Sequence, residues 1–136
     1  MTTQTPNDLG VNVHLQVPYE VALERAKAAL KAEGFGVLTE IDVQETMKKK
    51  LGADFRRYMI LGACNPPLAH RALSADLDVG LLLPCNVVVY ESDDGGSVVG
   101  LVSPLAMARL FAEPVFAAVA SEAQQRFERV AAALKE

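Results

Sequence analysis

The chain has 136 residues, 51% hydrophobic and 22% charged, the balance of one folded domain, and this excludes intrinsic disorder. Its 13 basic and 17 acidic residues give a net charge of −4, which argues against nucleic acid as a partner. No apolar run approaches the roughly 20 residues of a membrane span, and two cysteines do not make a disulfide framework.

Residues 1–10 are polar and are expected to form a flexible leader ahead of a single domain over 11–136. They lack the charged-then-apolar layout of a signal peptide, so the expected compartment is the cytoplasm, where thiols stay reduced. Val11–Val17 alternates apolar and polar residues and predicts a half-buried strand with His14 on its polar side. Pro18 stops it. Tyr19, Leu23, Ala26 and Leu30 then recur at helical spacing, and Gly34 closes the predicted helix Tyr19–Glu33 as a left-handed terminator.

Gly36–Val43 predicts the next strand, with Val37, Thr39, Ile41 and Val43 on one face and Leu38, Glu40 and Asp42 on the other. Glu40 and Asp42 therefore share a face, as paired carboxylates do in acid–base and metal sites. Asp42 equally suits the cap of a helix over Val43–Leu51, with Glu45 three residues on. Lys48, Lys49 and Lys50 end that helix ahead of Gly52.

The stretch Tyr58–Glu91 holds both cysteines. Tyr58–Ala63 is apolar on both faces and predicts a central strand. Asn65 and Pro66 are a cap and first residue for a helix through about Leu73. A loop over Asp76–Gly80 follows. Leu81–Leu83 and Cys85–Glu91 then predict a second apolar strand, in which Pro84 marks a bulge, an edge or the true start. If the two strands pair directly they run antiparallel, and Cys64 and Cys85 lie at the same end of the sheet. Cys64 also precedes a helix start, whose partial positive charge favours thiolate. Free cysteine serves as often as a small buried hydrophobe.

Ser92–Gly96 predicts a turn and Val98–Val102 the return strand of a hairpin. A short helix over Pro104–Phe111 follows. The last helix, Pro114–Leu134, carries Phe116, Val119, Ala123, Phe127, Val130 and Leu134 as one apolar stripe. Together these elements predict an α+β domain. Its sheet is expected to be mainly antiparallel and five-stranded, with the two longest helices on one face and short extra helices elsewhere. The other sheet face then needs a cover, expected in part from small helices or from a second subunit.

Three segments carry a family resemblance: Glu40–Val43, Tyr58–Pro66 and Gly80–Val87. They resemble the bacterial and archaeal family called domain of unknown function 302, over nearly the whole chain. The resemblance implies a TATA-binding-protein-like β-α-β4-α fold and a homodimer. It implies no nucleic-acid activity and brings no assigned reaction.

Three functional readings follow. The first is a dimeric small-ligand-binding or sensing module with Cys64, Asn65, Cys85 and Asn86 at the sheet end, and Glu40, Tyr58 and His14 as further members. No cofactor is evident. Two thiolates suit a soft metal ion or a reactive sulfur species, though two alone do not complete a zinc site. The second is an interaction dimer without chemistry and without a membrane partner. The third is a cysteine enzyme with Cys64 as nucleophile, for which His14 from the first strand could be the base, since His70, six residues on from Cys64, points away from the cap. The sequence has no CxxC motif, which removes the thioredoxin-like redox reading.

Overall fold

The computed structural model describes residues 2–135. Residue 1 of the expected leader and residue 136 of the expected domain lie outside the described residues. The elements run β1 (Thr3–Pro6), β2 (Gly10–Leu15), α1 (Tyr19–Ala32), β3 (Gly36–Asp42), α2 (Val43–Leu51), β4 (Tyr58–Cys64), α3 (Pro66–Ala75), a 3-10 helix (Leu77–Leu82), β5 (Cys85–Glu91), β6 (Ser97–Val102), α4 (Pro104–Ala108) and α5 (Pro114–Leu134). Without β1 and the short helices this is the expected β-α-β4-α order.

The sheet has six strands rather than five, all antiparallel, in the order β1-β2-β6-β5-β4-β3. The extra strand is β1, in the stretch read as a leader. Its residues TQTP are polar and exposed, so no apolar pattern announces them. Thr3 stands opposite His14 and Pro6 opposite Val11, with Pro6 on an outer strand where a missing N–H is tolerated.

Local chemistry sets most boundaries. The Asp42 side chain accepts the Glu45 N–H at 3.0 Å and starts α2, and Gly52 ends it with φ +64°. Gly34 turns the chain after α1 with φ +83°. The stretch Leu81–Leu83 is not strand: its first two residues belong to the 3-10 helix, and β5 begins at Cys85, just after Pro84. Pro104 starts α4 on the Ser103 cap, whose Oγ accepts the Ala106 N–H at 3.2 Å and reaches the Gln124 side chain of α5 at 3.1 Å.

One sheet face is the core floor. Val13, Leu15, Leu61, Ala63, Val87, Val89, Val99 and Leu101 are buried there beneath Ala22, Ala26 and Leu30 of α1 and Phe127, Val130 and Leu134 of α5. Both long helices thus pack on the same face, as expected. Arg126 of α5 donates to the Glu33 carbonyl at 2.9 Å and pins the end of α1. A second, smaller cluster joins Ala72, Val79 and Phe116 with Leu73, Leu83, Phe111, Val115 and Val119, under α3 and the start of α5.

Strand β3 departs from the predicted alternation. Val37 pairs with Ala63 but Thr39 pairs with Gly62, so the register slips at Leu38, which is left 66% exposed. The slip puts Val37, Glu40 and Asp42 on the helix face, and Thr39 and Ile41 on the opposite face.

Candidate functional site

Strands β4 and β5 pair antiparallel with Ala63 opposite Cys85. Cys64 is the last residue of β4 and Cys85 the first of β5, so both cysteines stand at one end of the sheet. Around that end the chain packs α3, the 3-10 helix, α4 and the first turns of α5. They enclose a partly open cavity of about 90 Å³ between the two apolar clusters. Its walls are Phe35 and Ala63 on the sheet side, Leu68, Ala69 and Ala72 from α3, Val79, Leu82 and Leu83 from the 3-10 helix and the residue after it, Met107, Ala108 and Phe111 from α4 and beyond, and Phe116 and Val119 from α5. Cys64, Asn65 and Cys85 also line it, as do Pro104, Ala120 and Ala123.

Two polar groups at this site, the Asn65 carbonyl oxygen and the Cys85 thiol, are already engaged or held neutral. Asn65 is buried, and its Oδ1 accepts the Leu68 N–H at 3.3 Å as the cap of α3. Burial, and secondarily the neighbouring Cys64, push the Cys85 thiol up to about 11. Cys85 is therefore a neutral thiol packed against the main core. Both cysteines are free. Both line the same cavity, and Cys64 is near enough to act on the Cys85 thiol. With Cys85 held neutral by burial, they are not the thiolate pair expected from the sequence.

The other expected members lie elsewhere. Asn86 is exposed and stands opposite Gly62. His14 stands opposite Val98, on the sheet face away from α1 and α5. Tyr58 is at the far end of β4, roughly 20 Å from Cys64 at about 3.3 Å per strand residue. It stacks on Tyr90, with ring centroids 5.2 Å apart and planes within 5°. Burial, then Tyr90, raises the Tyr58 pKa. Glu40 binds Lys27 of α1 at 2.8 Å, and this bond raises the Lys27 pKa. With Asp42 spent on capping α2, the Glu40–Asp42 pair is structural. His70 is exposed on α3, and neither histidine lines the cavity. Among the described residues no three His, Cys, Asp or Glu side chains cluster as a metal site.

Sequence reasoning located the sheet end but missed the apolar wall. Phe116 and Val119 read simply as part of the last helix's stripe, and Met107 and Leu110 as the inward residues of a short helix, whereas the structure turns Phe111 to the cavity and leaves Leu110 72% exposed. The wall's one available signal was the concentration of large apolar side chains between Pro104 and Val119, more than a five-residue helix needs for its own packing.

A family model described as domain of unknown function DUF302 matches residues 11–134. The crystal structure of an uncharacterized conserved DUF302 protein from Bacillus stearothermophilus is similar, with a TM-score of 0.78 and 34% sequence identity. The match covers 91% of this chain and 94% of that one. No curated protein matches the chain. Among the described residues, no helix is long and apolar enough to cross a membrane.

Proposed function

The chain belongs to the family of the domain of unknown function DUF302, and on that footing we propose that it is a small-ligand-binding module whose site is the apolar cavity beside Cys64 and Cys85. The observation that carries this reading is the cavity's lining. Carbon side chains from both clusters face a space that the flanking helices hold open, and the Oδ1 of Asn65, its one amide, already caps α3. Such a lining suits apolar groups, as an engineered apolar cavity of about 150 Å³ takes benzene or xenon. At about 90 Å³ it is far smaller than the roughly 300–1,000 Å³ of a site for a whole metabolite. The ligand's bound part is therefore a few heavy atoms. We place the protein in the cytoplasm, where Cys64 and Cys85 stay reduced.

This lining favours an apolar ligand over the soft metal and the reactive sulfur species. A neutral Cys85 is a poor partner for either, because thiolate is the ligand and nucleophile. Enzyme chemistry at Cys64 is weaker again, since no imidazole base lines the cavity.

The test is a titration of the folded chain with benzene, followed by methyl chemical shifts of Leu68, Ala69 and Val119. Saturable shifts confined to the cavity are expected. Ala69→Leu, which fills the space from a half-buried position, is expected to weaken binding at least tenfold. Absence of saturable shifts in the wild-type chain would remove the reading.

A homodimer is the second part of the reading, favoured by the sheet face opposite α1 and α5. Tyr58 and Tyr90 stack there beside Ile60 and Val88, and Ile41 is 47% exposed. A second copy laid on this face covers it. Sedimentation of the wild-type chain as a dimer, and of Ile60→Lys as a folded monomer, is the expected result. A monomeric wild-type chain at micromolar concentration removes the dimer and leaves the cavity reading intact.

A further inference from the structure

We propose that the chain has a second ligand site, a polar cleft across α4 from the apolar cavity, and that it takes a small zwitterion of the amino-acid kind. The ligand's carboxylate goes to Arg109, its ammonium to Glu128 and Asp8, and its apolar side chain to the floor.

Helix α4 divides the two spaces. Pro104, Met107 and Ala108 face the apolar cavity, whereas Ser103, Ala106 and Arg109, at three-residue spacing, face the cleft. Helix α5 supplies a second wall through Gln124 and Glu128, one turn apart. The β1–β2 turn supplies a third, with Asp8 on it. That turn is held in place. Asn7 Oδ1 accepts the Leu9 and Gly10 N–H groups at 2.8 and 2.9 Å, and the Leu9 carbonyl accepts the Ser103 N–H at 2.8 Å. The cleft holds about 360 Å³, four times the apolar cavity and within the roughly 300–1,000 Å³ of a site for a whole small molecule.

The charges select the ligand. Six of the seven arginines form a hydrogen bond or an ion pair with the protein, and among the described residues Arg109 alone forms neither. Asp8 and Glu128 line the same cleft, yet among the described residues neither makes an ion pair. Opposite charges that share a cleft attract one another. Here they stand on different walls and stay apart, so a guest that carries both signs bridges them. A guanidinium takes a carboxylate through two parallel hydrogen bonds. Gln124 Oε1 is occupied by the Ser103 hydroxyl at 3.1 Å, which leaves its Nε2 as a further donor to that carboxylate. Below, Leu101, Phe127 and Ala131 are buried and offer carbon to an apolar side chain. A plain anion is repelled by Asp8 and Glu128, and a plain cation by Arg109.

The experiment titrates the full chain with L-leucine and follows the methyl shifts of Val102, Ala106 and Ala131. Saturable shifts confined to these positions are expected. 4-Methylpentanoate lacks the ammonium and L-leucinamide lacks the carboxylate, and each is expected to bind about tenfold more weakly or worse. Arg109→Gln, at an exposed position, is expected to weaken L-leucine to the same extent and to leave L-leucinamide unaffected. Asp8→Asn with Glu128→Gln, both exposed, is expected to weaken L-leucine and not 4-methylpentanoate. Benzene shifts at Leu68 and Ala69 are expected to be the same in all these variants, so the apolar cavity stands or falls separately. Absence of saturable shifts with L-leucine overturns the site. Equal affinities for L-leucine and 4-methylpentanoate, or L-leucine binding undiminished in Arg109→Gln, overturn the zwitterion.

Discussion

Cys85 faces Ala63 across the β4–β5 ladder, one position short of Cys64. Both cysteines are partly buried and line the same cavity. The first prediction concerns Cys85. Burial pushes the Cys85 thiol from an ordinary value of 9.0 to about 11. Below pH 9 the folded and unfolded chains both keep its proton, and stability is unaffected. Between about pH 9 and 11 only the unfolded chain releases it, so folding free energy falls as pH rises, by up to about 3 kcal/mol. Denaturant midpoints across this range are expected to fall more steeply for the wild type than for Cys85→Ala. Equal slopes would show that Cys85 titrates as an exposed thiol.

Asn65 holds the start of α3 through its Oδ1 and the Leu68 N–H. Asn65→Ala is expected to cost about 1 kcal/mol, within a range of about 0.5–2, seen as a fall of a few degrees in Tm. Asn65→Asp, which keeps the accepting oxygen, is expected to recover most of the loss. Equal losses in the two variants would assign the effect to packing around the cavity instead of the cap.

Gly62 sits where three segments meet on the face away from α1. A Cβ there would lie 2.2 Å from Thr39 Oγ1 and 2.8 Å from Pro84 Cγ. Thr39 is exposed and can rotate aside, whereas the Pro84 ring is held at the start of β5. Gly62→Ala is therefore expected to destabilise by about 1–3 kcal/mol through overpacking. Because Pro84 directly precedes Cys85, the same variant is expected to shift the cavity methyl resonances. A neutral effect on stability would mean that the β4–β5 end is loosely held.

Asp94 organises the β5–β6 turn. It accepts from the Ser92 hydroxyl, from the Gly96 N–H at 3.0 Å and from the Gln16 side-chain amide at 3.3 Å. These bonds, that of Ser92 first, hold its carboxyl down at about 2, against an ordinary value of 3.8. A depressed carboxyl stabilises the fold above its unfolded value, and this contribution is lost as pH falls from about 3.8 toward 2. Asp94→Asn is expected to flatten the acid limb of stability against pH over that interval. An unchanged acid limb would remove the turn as a contributor.

Much of this architecture was legible in the chain because it rests on short-range chemistry. Asp42 and Asn65 announce helix starts, and Gly34 and Gly52 announce ends. The 3,4 spacing from Phe116 to Leu134 shows which side of α5 is buried. Each signal spans a few residues and depends on backbone groups the residue itself can reach, so no knowledge of distant chain is needed. The pairing of the two central strands also followed, because two apolar segments flank one short helix.

What depends on distant partners was not legible. The polar TQTP segment becomes a strand only because β2 offers it an edge. The slip at Leu38 moves Glu40 across the sheet to Lys27, and nothing within β3 requires it. Register brought Cys64 and Cys85 to one sheet end, and burial there keeps Cys85 protonated, so they form no thiolate pair. The cavity exists only where side chains from α3, the 3-10 helix, α4 and α5 fail to fill the space they enclose. Sequence therefore determined the elements and their buried sides, through local hydrogen bonding and periodicity. Tertiary packing alone decided the site, because an empty volume belongs to no residue and arises from the mismatch among many.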